Sequence, residues 1–344
     1  MVDVATGDEP LDSLVDFLLF KAFWAQLIAG PIIRLHELRG QIETPRTLDY
    51  ADLGSGLSRI VSGLFLKMVL ADNIAPIVDT VFAGKASPNA LDSLIGIVGF
   101  GLQIYFDFSA YSSIAIGSAR LFGYRFPENF NWPYVSASPQ EFWTRWHMTL
   151  SSWIRDYVFA PLNFASRNRP WVGHVWLVLS MALCGLWHGA KWTFVAWGFW
   201  HGLLLVANRT ILRRAFAPVP AKGAPLFRWR FLPAILFTAI LVHFGWLLFR
   251  AQSLAQAADM VVSLATLRGG LRPSTIRENS VLIVGCIFVG LWLCQVLRDP
   301  VLRFAATPFG ARVWSIAKPV LYTIAIIASI VFDQEAQVFV YFQF

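Results

Sequence analysis

The chain has 344 residues, of which 56% are hydrophobic and only 14% charged. Soluble globular domains carry about a quarter charged residues, so this composition excludes that class and indicates a multi-pass membrane protein. A net charge of +7 would suit a nucleic-acid-binding protein, but the basic residues lie in loops between apolar runs and no nucleic-acid motif accompanies them. We therefore expect the lipid bilayer, and no nucleic acid, among the partners.

Eight apolar segments are long enough, or nearly so, to cross the hydrocarbon core, which takes roughly 20 helical residues. They are residues 14–33, 60–77, 94–119, 172–186, 192–206, 231–249, 281–297 and 320–332. Several are short or contain polar residues, which favours tilted, broken or re-entrant helices. We predict an all-α polytopic transmembrane bundle that forms one membrane-embedded domain over residues 1–344.

Lys and Arg residues assign the two sides of the membrane, because they favour cytoplasmic loops. They concentrate after the first segment, between the third and fourth, between the fifth and sixth, and between the last two. This alternation places both termini outside. The segment 250–278 is the exception, since it lies outside in this scheme and yet contains Arg268, Arg272 and Arg277.

The third segment carries polar groups that lipid would not tolerate alone. Asp107 and Tyr111 are four residues apart and share a helix face. A buried carboxylate without a partner is costly, so we expect an arginine or a histidine beside Asp107. A structural role for this pair ranks ahead of direct chemistry.

The loop after the third segment contains an amphipathic stretch, residues 139–162. Its aromatic residues recur at spacings of three and four, which predicts one helix lying in the membrane interface. Arg145 and Asp156 lie largely off the aromatic face that contains Trp146. His147 lies at the seam between the two faces, where a solvated interfacial histidine is the alternative to a functional one.

Residues 172–208 are apolar enough for lipid and yet contain His188 and His201. A titratable side chain inside a membrane span usually faces a cavity, a pathway or a reaction centre. Histidine also has an ordinary pKa of roughly 6.5, which suits proton transfer at neutral pH. The alternative for both residues is a packing histidine bonded to a carbonyl, and for His201 we favour that alternative.

The remaining candidate ligands and nucleophiles predict little chemistry. Cys184, Cys286 and Cys294 all fall inside apolar runs, which indicates neither a disulfide framework nor a zinc site. No HxxxH pair occurs, so we expect no metal site. The other histidines, His36, His174 and His243, are assigned to packing or to the surface.

Motifs in the same order along the chain carry a family resemblance. They are AGPIIR at 29–34, QIYFDFSAYSSIAIG at 103–117, FWTRWHMTLSSWIRDYVFAPL at 142–162, WHGAKWTF at 187–194 with WG and HG shortly after, and YFQF at 341–344. Together they resemble the membrane-bound O-acyltransferase family, and within it the branch that serves O-acetylation of exported polysaccharides such as alginate.

The resemblance implies a ring of transmembrane helices around a funnel and a tunnel, with interfacial or re-entrant helices. It also implies that His188, in the WHG motif, lies deep in the tunnel, and that His147, in the RWH motif, is a second functional histidine on its cytoplasmic side. We predict His188 as the catalytic base, and His147 as a residue that positions the donor or supports proton transfer. The predicted tunnel and supporting residues are Asp107, Tyr111, Trp146, Trp187, Trp192, Arg145 and Asp156.

The resemblance further implies a reaction. An acyl group, most simply acetyl, would leave a cytoplasmic thioester such as acetyl-CoA and pass to a periplasmic relay or O-acetyltransferase protein and an exopolysaccharide acceptor. The protein would lie in a bacterial inner membrane and hold no bound cofactor.

The chain departs from the family pattern at three places. It looks N-terminally short, residues 163–165 read NFA where paired glycines are usual, and Ser113 and Ala110 stand where an acidic residue and glycine are common. Two related reactions remain open: D-alanyl transfer to teichoic acid, and peptidoglycan O-acetylation. A proton-coupled transporter is the alternative from another class, although no repeat of two similar halves is visible.

Overall fold

The computed structural model describes residues 4, 7, 9–11, 13–27, 30–44, 49–83, 88–221, 223–270, 272–333 and 339. Residue 29 of the first motif and the YFQF motif at 341–344 lie outside this part of the chain. The described residues form helices and no strand, which confirms the all-α prediction. The helices are α1 Leu14–Ala22, α2 Leu35–Ile42, α3 Tyr50–Phe65, α4 Asp72–Phe82, α5 Ala90–Leu121, α6 Pro139–Trp143, α7 Met148–Trp153, α8 Ala160–Ala165, α9 Pro170–Trp187, α10 Trp192–Arg209, α11 Leu232–Arg250, α12 Leu254–Thr266, α13 Glu278–Ala305 and α14 Pro308–Val331.

Six stretches of the described chain are both long and apolar enough to cross a membrane, compared with the eight predicted segments. They are Tyr50–Phe82, Ala90–Leu121, Pro170–Trp187, Trp229–Arg250, Glu278–Ala305 and Pro308–Val331. Helix α10 matches α9 in length but is absent from this set. These helices confirm a multi-pass membrane protein.

The prediction for residues 14–33 was wrong as a single span. Helix α1 has only 9 residues and ends where Phe23 takes an extended backbone conformation. Pro31 lacks an amide donor and disfavours helical geometry at Gly30, so the apolar stretch cannot continue as one helix to residue 33.

Helix α5 is the centre of the bundle: 89% of its most apolar stretch is buried, compared with 33% for the span Tyr50–Phe82. Its closest neighbour is α3, and the two helices cross at Gly56 and Gly117. A Cβ atom on Gly56 would lie 2.8 Å from the carbonyl oxygen of Gly117, and one on Gly117 would lie 2.7 Å from that of Gly56. Such small residues let two helix backbones pack in direct contact, as membrane helices commonly do.

The amphipathic stretch 139–162 is not the single helix that its periodicity predicts. It consists of α6, a break, α7, a π-helical turn over Ile154–Phe159, and the start of α8. At the break, the carbonyl of Arg145 accepts from the amide of Asn131 at 2.9 Å, and the amide of Met148 donates to Asn129 at 2.9 Å. Backbone groups that a helix would use internally are therefore bonded to the preceding loop.

The basic outer segment 250–278 is partly neutralised by its neighbours. Arg250 pairs with Asp79 at 2.7 Å, and Arg268 pairs with Asp259 at 2.8 Å. The pair with Asp259 balances Arg268, one of the three arginines that make this segment an exception to the pattern of basic residues.

Asp107 has a charged partner among the described residues, and this partner is a lysine where an arginine or a histidine was predicted. Lys67 Nζ lies 2.7 Å from Asp107 Oδ1 and 2.7 Å from Asp72 Oδ1. All three side chains are buried, with Asp107 only 1% exposed. Lys67 lies inside the predicted span 60–77, and a charged side chain in a membrane span indicates that a partner is present. The sequence analysis did not use this lysine.

Replacing Lys67 by methionine should lower the stability of the folded protein strongly, because an uncompensated buried carboxylate remains. Loss of one member of a buried ion pair typically costs about 3–5 kcal/mol. Thermal unfolding in detergent measures the effect. The double variant Lys67→Met/Asp107→Asn should recover part of the loss, and Lys318→Met, which removes an exposed lysine, should change little. Equal stability of all these variants would contradict the proposed importance of the pair.

A second ion pair ties the start of the chain to the broken segment. Arg34 donates to Asp156 Oδ2 at 2.7 Å, and Arg155 donates to Asp156 Oδ1 at 2.6 Å. The adjacent Arg155 guanidinium, and then that of Arg34, lower the pKa of the Asp156 carboxyl below its ordinary value of 3.8. Asp156 therefore holds residues near Arg34 against the segment that follows α7.

The pair predicts a specific acid response. Since the folded state lowers the pKa of Asp156, its contribution is complete above pH 3.8 and is lost as the pH falls through the lower folded-state value. Asp156→Asn should therefore lower the unfolding temperature at pH 7 and remove part of the decline seen at acid pH. Unfolding temperatures measured from pH 7 to pH 3 provide the test. The control Glu278→Gln, at an exposed carboxylate outside the ion pairs described above, should keep the wild-type acid response.

Candidate active site

His147 and His188 line one small cavity at the centre of the molecule. The cavity has a volume of about 20 Å³ and is otherwise enclosed by apolar and aromatic side chains, namely Ile104, Phe108, Trp143, Trp146, Leu150, Trp197, Trp246 and Phe249. A void of this size holds about one water molecule. The structure thus brings together the two histidines that the sequence analysis selected for catalysis.

His188 lies at the C-terminal end of α9, where the chain turns towards α10. The turn uses Gly189 at a φ of +150°, a conformation that disfavours a side chain. The imidazole packs edge-on to Trp197 and Phe249, with ring centroids 5.4 and 5.1 Å apart. The turn places the histidine between the two helices, and the rings fix its orientation.

Two glycines allow α9 and α10 to pack closely enough to form this site. Gly185 lies against the carbonyl of Phe194, and Gly198 lies against the carbonyl of Met181, so that a Cβ atom on either glycine would collide with backbone. Gly198 of the WG motif and Gly185, which lies three residues before His188, therefore serve helix packing.

His147 is held in an unusual backbone conformation at the break between α6 and α7. Its φ is +40°, in the left-handed region that non-glycine residues occupy at a cost of order 1–3 kcal/mol. The ring packs edge-on to Phe108 at 4.7 Å, and Nδ1 lies 3.0 Å from Asn129 Oδ1. Such strain persists only where surrounding contacts enforce it, and here it directs the imidazole into the cavity.

The electrostatics keep His147 neutral. Burial, and then the nearby His188, lower the pKa of His147 well below its ordinary value of 6.5. A neutral imidazole can accept a proton or a hydrogen bond at physiological pH.

The predicted residue Arg145 contributes to the site indirectly. Its guanidinium bonds Glu141, a fully buried carboxylate, at 3.0 Å. Arg228, from the loop between α10 and α11, donates to the other oxygen of Glu141 at 2.5 Å. Glu141 therefore anchors both the broken segment and a distant loop, and Arg145 is part of that anchor.

The other predicted supporting residues divide into two groups. Trp146 lines the cavity and packs on Trp246 at 4.7 Å. Asp107 lies at the lysine pair and Tyr111 packs on Phe339, while Asp156 lies in its own ion pair. None of these three lines the cavity.

Trp187 and Trp192 are not among the residues that line the histidine cavity. They are 54% and 78% exposed in the described part of the chain. The indole of Trp187 contacts His188 from outside, with ring centroids 5.1 Å apart.

The tryptophans that do enclose the site beside Trp146 are Trp143, Trp197 and Trp246. The sequence analysis did not select them, because an aromatic residue in an apolar segment gives no sign of which neighbour it will meet. His201 is fully buried and stacks on Phe142, with centroids 6.0 Å apart. Neither of its ring nitrogens has a hydrogen-bond partner among the described residues, so the carbonyl bond of the packing interpretation is not seen in this part of the chain.

A larger cavity of about 400 Å³ adjoins the histidine cavity and shares Trp143 and Leu150 with it. It runs between α9, α10 and the π-helical turn, from Cys184 near the site to Arg209 at the end of α10. Arg155 also lines it. The cavity therefore extends from beside the histidine cavity to the basic end of α10.

Two buried polar atoms along this larger cavity lack a hydrogen-bond partner among the described residues. They are Ser180 Oγ and Trp143 Nε1. Buried donors are normally satisfied, so an unsatisfied one calls for an explanation such as a bound water or ligand.

Comparison with known proteins gives a consistent assignment. The model of the membrane-bound O-acyltransferase family matches residues 9–251. A probable alginate O-acetylase of Azotobacter vinelandii is 42% identical over 77% of this chain and 50% of its own length. A peptidoglycan O-acetyltransferase of Helicobacter pylori is 34% identical over 75% of this chain and 48% of its own length. A teichoic acid D-alanyltransferase of Bacillus subtilis is 29% identical over 70% and 61%.

The chain spans about half the length of the first two of these relatives. The matched region includes both histidines, the broken segment around His147 and the hairpin that carries His188. The family match and the enclosed histidine cavity agree, and the chain belongs to the membrane-bound O-acyltransferase family.

Proposed function

We propose that this protein transfers an acyl group, most simply acetyl, from a cytoplasmic thioester to a hydroxyl acceptor during O-acetylation of an exported polysaccharide such as alginate. The observation that carries the proposal is that two histidines share one aromatic-walled cavity inside a membrane bundle. The names of the relatives at about 40% identity support alginate as the polymer.

Acyl transfer from a thioester to a hydroxyl needs a base, donors for the oxyanion and exclusion of water. In the proposed step, His188 takes the hydroxyl proton while the oxygen attacks the thioester carbonyl carbon. The tetrahedral intermediate then collapses, the C–S bond breaks, and the imidazolium returns the proton to the departing thiolate. The aromatic lining limits the water that could hydrolyse the donor.

Two residues of the cavity wall support oxyanion stabilisation. Trp143 and Trp197 each carry a buried indole N–H that has no hydrogen-bond partner among the described residues. A preorganised donor of this kind is worth most where water is excluded. Both line the cavity together with His188, whereas the exposed Trp187 does not.

The larger cavity is the proposed path for the donor. Its apolar wall suits a flexible thioester arm, its unsatisfied Ser180 hydroxyl suits an amide carbonyl, and Arg155 and Arg209 suit phosphate. These features fit acetyl-CoA or another phosphate-bearing acyl thioester. The acceptor side would face the periplasm of a bacterial inner membrane, where a relay or O-acetyltransferase protein would receive the acyl group.

D-alanyl transfer and peptidoglycan O-acetylation are the second candidates within the same chemistry, because relatives with those names match at lower identity. A proton-coupled transporter differs in one observable respect: it consumes no thioester. Release of free thiol from acetyl-CoA by purified protein therefore separates the classes.

His188→Ala should reduce acetyl transfer by about 10²–10⁴-fold, the usual contribution of a positioned base. The variant should still accumulate in the membrane, because His188 is only partly buried at a helix end. Labelled-acetyl transfer to polysaccharide in membranes measures the loss, and His36→Ala, at an exposed histidine, is the matched control. Unchanged transfer by His188→Ala would remove it as the base.

Arg209→Ala should raise KM for acetyl-CoA roughly fivefold, the effect of losing about 1 kcal/mol of charge interaction at a partly exposed site, with little change in kcat. Steady-state kinetics at two salt concentrations test this, since the wild-type KM should rise with salt and the variant's should rise less. The control is Arg213→Ala, at an exposed arginine in the following turn. An equal effect of both substitutions would show that general surface charge, and not the cavity, attracts the donor.

A further inference from the structure

Asn129 is a fully buried residue in the loop between α5 and α6, and its side chain contacts His147 directly. Its Oδ1 lies 3.0 Å from His147 Nδ1 and 2.9 Å from Thr149 Oγ1. Its Nδ2 donates to Ser112 Oγ on α5 at 3.1 Å. Its backbone carbonyl accepts from the amide of Met148 at 2.9 Å. One residue thus bonds the imidazole itself and the two residues that follow the strained His147 backbone.

The neighbours determine which end of the Asn129 amide faces the imidazole. The Thr149 backbone N–H, which can only donate, lies 3.4 Å from that end, so the atom there is an acceptor. The Thr149 hydroxyl already accepts from the amide of Ile32 at 3.0 Å and is therefore oriented to donate to the same atom. The atom is Oδ1, and Nδ2 points to the serine.

This orientation has a consequence for the histidine. A carbonyl oxygen cannot donate, so the hydrogen bond between Asn129 and His147 requires a proton on Nδ1. In a neutral imidazole the second nitrogen, Nε2, then carries the lone pair. The partner of one ring nitrogen therefore sets the chemistry of the other.

We infer that Asn129 is a positioning residue that holds His147 as the Nδ1–H tautomer, with Nε2 as the ring atom that accepts a proton or a hydrogen bond in the histidine cavity. The catalytic part of this inference rests on the proposed acyl transfer. Ser112 completes the arrangement, since it holds the amide in the orientation that Nδ1–H requires.

The test is ¹⁵N NMR of the histidine-labelled full chain in liposomes at pH 7, with the His147 signals assigned by their loss in His147→Gln. In the wild type, Nδ1 should carry the proton. Asn129→Leu, which removes the acceptor, should abolish that preference and move proton occupancy towards Nε2. Asn129→Asp keeps an acceptor and should restore the Nδ1–H signal. Asn131→Leu, the same substitution at an exposed neighbour, should leave the spectrum unchanged.

Acetyl transfer supplies a second measurement. Asn129→Leu should lower kcat about 10- to 100-fold, the size typical of outer partners of functional imidazoles, with KM for the thioester nearly constant. Asn129→Asp should recover most of kcat. Aspartate also keeps the acceptor for Thr149 Oγ1, so the discriminating readout is that kcat follows the Nδ1–H occupancy across the wild type and both variants, a correspondence that a purely structural role does not predict.

The two proposals fail separately. A wild-type Nε2–H signal, or a spectrum that Asn129→Leu leaves unchanged, would overturn the positioning role whatever the activity. A wild type that shows Nδ1–H and responds to Asn129→Leu, but transfers no acetyl group, would support the positioning role while refuting the proposed function.

Discussion

A lipid bilayer provides no hydrogen-bond partner for a buried polar group, and this constraint shapes the whole molecule. Lys67 pairs with the carboxylates of Asp72 and Asp107, and Glu141 pairs with Arg145 and Arg228. Neither cluster touches the histidine cavity. Both hold elements that do, because α5 and the broken segment each provide part of the cavity wall. The ion pairs that compensate the buried charges therefore also hold in place the helices that form the site.

The break after α6 shows how this constraint produces function. A continuous amphipathic helix would lie in the interface and leave His147 at its seam. Instead, loop residues 129–131 take the backbone hydrogen bonds of the segment, and the chain turns through a left-handed residue at His147. The contacts of Asn129 offset the conformational cost, and the imidazole lines the same aromatic-walled cavity as His188.

The two cavities differ in size, and each suits a different part of the proposed reaction. The larger cavity accommodates a long, flexible donor, whereas the cavity between the histidines has room for about one water molecule. Trp143 and Leu150 belong to both walls. Acyl transfer through such a passage would require small movements of these side chains, and the reacting atoms would be shielded from bulk water before and after each turnover.

Local sequence determined much of this protein. Hydropathy located the membrane helices, with an error at residues 14–33 where Pro31 interrupts an apolar run, and local motifs selected His147 and His188. Only the tertiary structure decided which side chains surround those histidines, because contacts between residues 129 and 147, or between 67 and 107, depend on how distant helices pack. Hydrophobicity alone also could not show that the side chains of Trp187 and Trp192 are exposed. It places a tryptophan in an apolar segment, but the orientation of the helix decides whether the indole faces a cavity or the outside of the bundle.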